Sequence, residues 1–296
     1  MNVGFIGIGH MGKHMSGHIL KAGYDLTVHD IYKEAAAPIL GKGAKWADSP
    51  AALAASCQVV LSCLPEPVDV EAIVYGNNGL TEGWKKGDIY IDMSTNSPTL
   101  IRRIAADAQK AGVEVIDAPV SGGQTGAEKA TLAIMAGGDA KALETVRGIL
   151  ETMGQKIFHM GDAGCGNVAK LVNNLISISC NAITAEGFVL GVKAGIDSKT
   201  LQDLVCVSTG NNFTAQHYHE SVLAGNFTPG FKLGLATKDI KLAIALGKEY
   251  DIPLPVGSAV EQRMIEAKTA GLGDKHIDAI ILLLEKLVGV EVRSSK

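Results

Sequence analysis

Apolar residues keep two different rhythms along this chain. Over the first half they come in short runs, at residues 3–6, 26–29, 59–64, 88–92, 113–116, 131–136 and 156–159. Short runs with little polar alternation, separated by helical stretches, predict parallel strands covered on both faces. Ser49-Pro50 and Ser97-Pro98 each join a capping hydroxyl to a proline at the first helical position, opening helices to Ser56 and to about Ala111. Another helix is expected from about Ala140 to Met153.

The rhythm changes at Gly164. From Gly164-Cys165-Gly166 an apolar segment runs to about Leu190 with no proline, and after Gly166 with no glycine until Gly187. At 3.6 residues per turn, Lys170, Asn174, Ser177 and Asn181 share one face of it. Nearly all its other positions are apolar, which predicts a buried helix whose polar stripe meets partners, water or a ligand. Further helices are expected over 198–207, capped by Asp197, and over 214–224, 236–249, 256–270 and 276–287, with no strand among them.

Chemistry enters at Gly7-Ile8-Gly9-His10-Met11-Gly12, with a strand before it, a helix after it, and Asp30 closing the next strand. That is the context in which G-x-G-x-x-G binds a dinucleotide. Gly7 allows the tight turn, Gly9 lets a pyrophosphate approach the backbone, and Gly12 lets helix and strand pack closely. Free N–H groups at the helix start favour the phosphates. Asp30 suits a ribose 2′-OH and repels a 2′-phosphate, and no arginine follows it, so NAD is expected over NADP, with Lys33 able to soften the preference. In such sheets ligands lie beyond the carboxyl ends of the strands, which brings Leu64, Pro65, Ser94 and Thr95 to the cofactor cleft. Ser121-Gly122-Gly123 sets a hydroxyl beside two glycines, a backbone nest for an anionic group such as a carboxylate.

The fold class that follows is α/β plus all-α. A Rossmann-type doubly wound sheet with extra strands is expected over residues 1–163. An all-helical substrate and oligomerisation domain follows over 164–296, joined by the long helix, with the chemistry where the two meet. At 296 residues each part is long enough for a core of its own. Hydrophobic residues make up 47%, yet no run approaches 18 uninterrupted apolar positions, so no membrane span is expected. The first residues begin a strand and lack a secretory signal, and the five scattered cysteines contain no C-x-x-C, which together suggest a cytoplasmic protein with reduced thiols. Net charge is −4 with no basic cluster, against nucleic acid as a partner. His10, His14 and His18 have metal-ligand spacing, but His10 belongs to the phosphate turn and no acid or cysteine stands nearby, and His217-x-His219 would chelate only from a strand whereas its surroundings read helical, so no metal site is expected.

Four blocks, Gly7–Gly12 with Asp30, residues 117–123, residues 164–174, and Lys238-Asp239, occur in an order that resembles the β-hydroxyacid dehydrogenases over nearly the whole chain. The resemblance implies hydride transfer between NAD(H) and a short 3-hydroxy acid or semialdehyde. It implies that Ser121, Gly122 and Gly123 hold the substrate carboxylate, that Lys170 is the catalytic acid and base, and that Asn174, beside Asn173, orients the substrate. It also puts Lys238 on the cofactor side and suggests a homo-oligomer. Burial and a nearby NAD⁺ ring would both push a lysine below its ordinary value near 10.4. Cys165 stands where the family usually has alanine. Asn173 stands where the decarboxylating phosphogluconate enzymes use histidine, which counts against that relative. Succinate semialdehyde, glyoxylate and sulfolactaldehyde reductases stay open, as does a nucleotide sensor without turnover.

Overall fold

The chain, seen in a computed structural model that describes residues 1–294, forms two compact units, Met1–Lys170 and the residues from Leu171 onward. The last two positions of the expected second domain, 295 and 296, lie outside the described residues.

The first unit runs β1 (Asn2–Ile6), α1 (Gly12–Lys21), β2 (Asp25–His29), a 3-10 turn (Lys33–Ala36) leading into α2 (Ala37–Leu40), β3 (Lys45–Trp46), α3 (Pro50–Ser56) and β4 (Val59–Ser62). It continues α4 (Pro67–Tyr75), α5 (Leu80–Gly83), β5 (Ile89–Asp92), α6 (Pro98–Lys110), β6 (Glu114–Asp117), β7 (Val120–Ser121) and α7 (Gly123–Glu128). Then come β8 (Leu132–Gly137), α8 (Ala140–Glu151), β9 (Gly154–Gly161) and the first turn and a half of α9 (Cys165–Lys193).

Among the described residues the strands form one nine-stranded sheet, ordered β3-β2-β1-β4-β5-β6-β8-β7 with β9 on β8. The six from β3 to β6 are parallel. That order reverses direction between β1 and β4, the switch point at which such sheets bind ligands. β8 runs antiparallel to β6 and β7, and β9 parallel to β8. Alternate strand residues feed opposite layers, Leu61 and Ile91 one core, Val60 and Tyr90 the other. Each fully buried aliphatic side chain contributes about 1.5–3 kcal/mol. Ser49 and Ser97 cap α3 and α6 by accepting the Ala52 and Leu100 N–H groups.

Several elements depart from the sequence reading. β4 stops at Ser62, two residues short, because the Leu64 N–H is taken by the Ser94 hydroxyl at 2.9 Å instead of a ladder partner. Two-residue β3 and β7 are too short to show a period. α4 has no counterpart in the sequence reading; Pro67 stands at its first turn and the Asp69 carboxylate accepts the Glu66 N–H at 3.1 Å.

The second unit holds the rest of α9, then α10 (Ser198–Val207), α11 (Phe213–His217), α12 (Leu233–Glu249), α13 (Pro255–Ala267), a 3-10 turn (Ile277–Ile280) and α14 (Ile281–Val288). Its core gathers Ile178, Phe188, Tyr218, Ile240, Met264 and Ile281. The helix expected over 214–224 ends at His217. Beyond it the Ser221 hydroxyl is drawn 2.6 Å from the buried Asp278 carboxylate, and the chain passes through turns that bury Tyr218, Val222 and Leu223.

α9 is not buried all round, as its composition suggested, because one apolar ridge (Val172, Ile176, Ile183 and Leu190) stays exposed. By length and composition alone α9 is apolar enough to cross a membrane, with mean hydropathy 1.6 over 18 residues, 39% of them buried. Yet Asn174 and Asn181 donate to the buried carboxylates of Asp239 and Asp278, at 2.6 and 2.5 Å. Lipid offers no such partners.

Candidate active site

The glycine turn shows what each glycine does. Gly7 has φ +93°, and a Cβ there would lie 2.5 Å from the Cys63 carbonyl oxygen. A Cβ on Gly12 would overlap the Gly7 carbonyl oxygen, so α1 starts hard against the turn only without a side chain. Gly9 differs, since a Cβ there would meet no protein atom within 4 Å. Its bare backbone faces open space, a cradle that fits a pyrophosphate. His10 beside it is exposed and Met11 half-buried, while Ile8 is buried. Asp30 has two duties. Its Oδ2 accepts the Ile8 N–H at 2.7 Å and its Oδ1 the Tyr32 N–H at 2.9 Å, which pins the turn. Each oxygen keeps a lone pair for a ribose hydroxyl. Lys33 lies over the Trp46 ring, 5.3 Å from its centre.

At the ends of β4, β5 and β6 lies a buried polar chain. The Ser62 hydroxyl donates to Asp92 Oδ1 at 2.9 Å, the Ser94 N–H does so at 3.1 Å, and Asn96 Nδ2 donates to Asp92 Oδ2 at 2.9 Å. The Asn96 N–H in turn donates to Asn167 Oδ1 at 2.7 Å. Asp117, the Cα partner of Asp92 on β6, accepts three bonds: from the Gly164 N–H (2.7 Å), the Asn167 N–H (2.6 Å) and Asn167 Nδ2 (3.2 Å). Burial raises the Asp92 carboxyl above the ordinary range. Burial also pushes Asp117 up to about 6, against the downward pull of Asn167 and Gly164 and with a further push from Asp92. Leu64 joins through Ser94, and Pro65 and Thr95 stand beside these links, exposed and half-buried.

The start of α9 is pressed onto the sheet. A Cβ on Gly166 would overlap the Met135 carbonyl oxygen, and one on Gly137 would lie 2.6 Å from the Gly166 nitrogen. Gly164, at φ +90°, turns the chain into the helix. Lys170 follows Asn167 by three residues, about 4.5 Å along the axis, and is only 9% exposed. Ser121 ends β7, and Gly122 and Gly123 follow with φ +129° and +61°. Consecutive positive φ values turn neighbouring N–H groups toward one spot, and a Cβ on Gly123 would meet no protein atom within 4 Å.

In the second unit, Asn174 Nδ2 donates to Asp239 Oδ2 at 2.6 Å and Asn173 Nδ2 donates to Asn174 Oδ1 at 3.0 Å. Lys238 Nζ lies 3.2 Å from Asp239 Oδ1. Of the expected polar stripe on α9, Asn174 and Asn181 are buried and Ser177 is exposed. The histidines do other work: His18 Nε2 sits 3.0 Å from the Ala127 and Glu128 carbonyls that end α7, and His217 Nδ1 lies 2.8 Å from the Phe213 carbonyl of its own helix. Sequence reasoning missed Asp92, Asn96 and Asn167 as site builders. The signal was there in Asp92 and Asp117, two acids at the ends of adjacent buried runs, where an unpaired charge is costly.

A doubly wound sheet, a glycine turn left open at Gly9 and an acid closing β2 define a dinucleotide-binding domain. Residues 2–161 match the NAD binding domain of 6-phosphogluconate dehydrogenase, and residues 164–284 match the family described as NAD-binding of NADP-dependent 3-hydroxyisobutyrate dehydrogenase. The 2-(hydroxymethyl)glutarate dehydrogenase of Eubacterium barkeri is 35% identical over 294 residues, 99% of this chain and 97% of that protein. The NAD-dependent L-serine dehydrogenase of Pseudomonas aeruginosa is 37% identical over 263 residues, 86% of this chain and 88% of that one. The structure of Mycobacterium tuberculosis 3-hydroxyisobutyrate dehydrogenase with L-serine superposes with TM-score 0.88 at 33% identity, covering 96% of this chain and 98% of that one. The chain belongs to the β-hydroxyacid dehydrogenase family, and it is an NAD-dependent hydroxyacid oxidoreductase.

Proposed function

We propose that this enzyme interconverts a short 3-hydroxy acid and its semialdehyde, with Lys170 as general acid and base. The substrates in the names of the three relatives, 2-(hydroxymethyl)glutarate, L-serine and 3-hydroxyisobutyrate, share a hydroxymethyl group on the carbon that bears a carboxylate. One observation carries the reading: Lys170 is buried one turn beyond a helix start that is bonded to the ends of the very strands that flank the cofactor loops.

Gly7, Ile8, Gly9, His10, Met11 and Gly12 would hold the dinucleotide, together with Asp30, Leu64, Pro65, Thr95 and Lys238. Bound NAD⁺ supplies the hydride acceptor. The Ser121 hydroxyl and the Gly122 and Gly123 N–H groups take the substrate carboxylate, and Asn174, braced by Asn173 and Asp239, turns the substrate. As the hydride leaves the carbinol carbon, the hydroxyl proton passes to the neutral Lys170 amine. In the reverse direction the Lys170 ammonium returns that proton to the carbonyl oxygen.

Lys170→Ala should lose about 10²–10⁴-fold in kcat while NADH titrates as in the parent. The test runs both proteins against 3-hydroxyisobutyrate, L-serine and tartronate semialdehyde, and near-normal turnover by the variant would remove the assignment. The reading includes a homo-oligomer, a second copy covering the exposed α9 ridge of Val172, Ile176, Ile183 and Leu190. A light-scattering mass of one chain would remove that part alone.

A further inference from the structure

A helix start normally satisfies its N–H groups with the side chain of its own capping residue. α9 cannot, because the residue before Cys165 is Gly164. Its cap arrives from Asp117 at the end of β6, which accepts the N–H of Gly164 just before the helix and that of Asn167 within its first turn, 47 and 50 positions away. A borrowed cap ties the helix to a place in the sheet, where a local cap would travel with the helix.

Asn167 adds a second tie. Its side chain is fully buried and both ends of its amide are engaged, Oδ1 by the Asn96 N–H and Nδ2 by Asp117. Asn96 belongs to the loop after β5 that also carries Ser94 and Thr95. That loop is anchored by Asp92, and its Ser94 hydroxyl holds the Leu64 N–H. An unbroken set of hydrogen bonds therefore leads from the cofactor-side loop after β4 to the turn that precedes Lys170. The contact between Gly137 and Gly166 removes any slack beneath it.

We infer that Asn167 and Asp117 are positioning residues, which set the Lys170 amine at a fixed distance from the loops that follow β4 and β5. The inference rests on the reading of Lys170 as acid and base. Proton transfer and hydride transfer must occur in one geometry, and a displacement of about 1 Å is enough to cost about 10²-fold in rate.

Asn167→Ser separates positioning from folding. The cap does not depend on this side chain, because Asp117 accepts the backbone N–H groups of Gly164 and Asn167; serine is too short to accept the Asn96 N–H, so the variant keeps the cap and leaves the loop untied. The expected result is a single cooperative urea transition at a lower midpoint, since the buried Asn96 N–H loses its acceptor, with a parental NADH dissociation constant, KM for the hydroxy acid within about threefold, and kcat down by about 10- to 100-fold, following the geometric sensitivity above. Asn96→Ala cuts the same chain one link earlier without touching α9 and should lower kcat in the same way. Parental kcat in either variant overturns the inference, whatever Asn167→Ala does to folding. Lys170→Ala is measured alongside. If it turns over normally, the acid–base reading fails; if it is inactive while Asn167→Ser has parental kcat, the positioning role alone fails.

Discussion

Gly9→Ala isolates the cofactor site from the fold that carries it. The new methyl would meet no protein atom within 4 Å, and the backbone there lies outside the left-handed region. Folding stability should therefore hold, or rise by up to about 1 kcal/mol as the unfolded chain loses freedom. Binding should suffer, because the methyl stands where the pyrophosphate approaches the backbone. Losing one hydrogen bond to a charged oxygen costs about 1.5–3 kcal/mol, which is about 10- to 150-fold in dissociation constant. Gly12→Ala is the contrast, since its methyl would overlap the Gly7 carbonyl oxygen and should unfold the turn itself. The assay is NADH fluorescence titration beside urea denaturation for the parent and both variants. A Gly9→Ala protein that folds and binds NADH with parental affinity would refute the phosphate assignment, however well the motif matches.

Two further outcomes follow from the same geometry. Asp30→Ala should narrow the NAD-to-NADP ratio of kcat/KM by about 10-fold or more, and it should also weaken NADH binding, since the Ile8 N–H loses its acceptor; an unchanged ratio would count against Asp30 as the nucleotide selector. Asp117 predicts a slope in stability with pH. Its folded value of about 6 lies above the ordinary 3.8, so the folded chain holds more protons than the unfolded one. Its contribution is then complete below about pH 4 and is lost as pH rises through about 6, a swing of about 3 kcal/mol. Urea midpoints at several pH values should show that slope in the parent and not in Asp117→Asn, and equal slopes would contradict it.

The strand and helix order of the first unit was legible because buried parallel strands are apolar on both faces and two Ser-Pro caps announce themselves. Asp30 and the glycines were legible because they must sit at fixed offsets from a strand. What escaped was short or long-range. β3 and β7 span two residues each, too few for a period. The cap of α9 lies 47 positions away, and a pattern within a window cannot show which acid meets which helix. The polar stripe on α9 was visible, but not that Ser177 would face solvent while Asn174 and Asn181 found carboxylates at Asp239 and Asp278. Hydrophobicity alone also promised burial for a ridge that this chain leaves uncovered.

At Gly137 and Gly166 two stretches of main chain touch with nothing between them. A joint of that kind has no rotamer to adjust and no void to collapse into, so it cannot be tuned by degrees. An engineer seeking a new substrate should hold both glycines and the turn around them constant and spend the library on positions whose neighbours can yield. The same rigidity makes the joint a poor hinge, and whatever motion admits or releases ligands has to take place elsewhere.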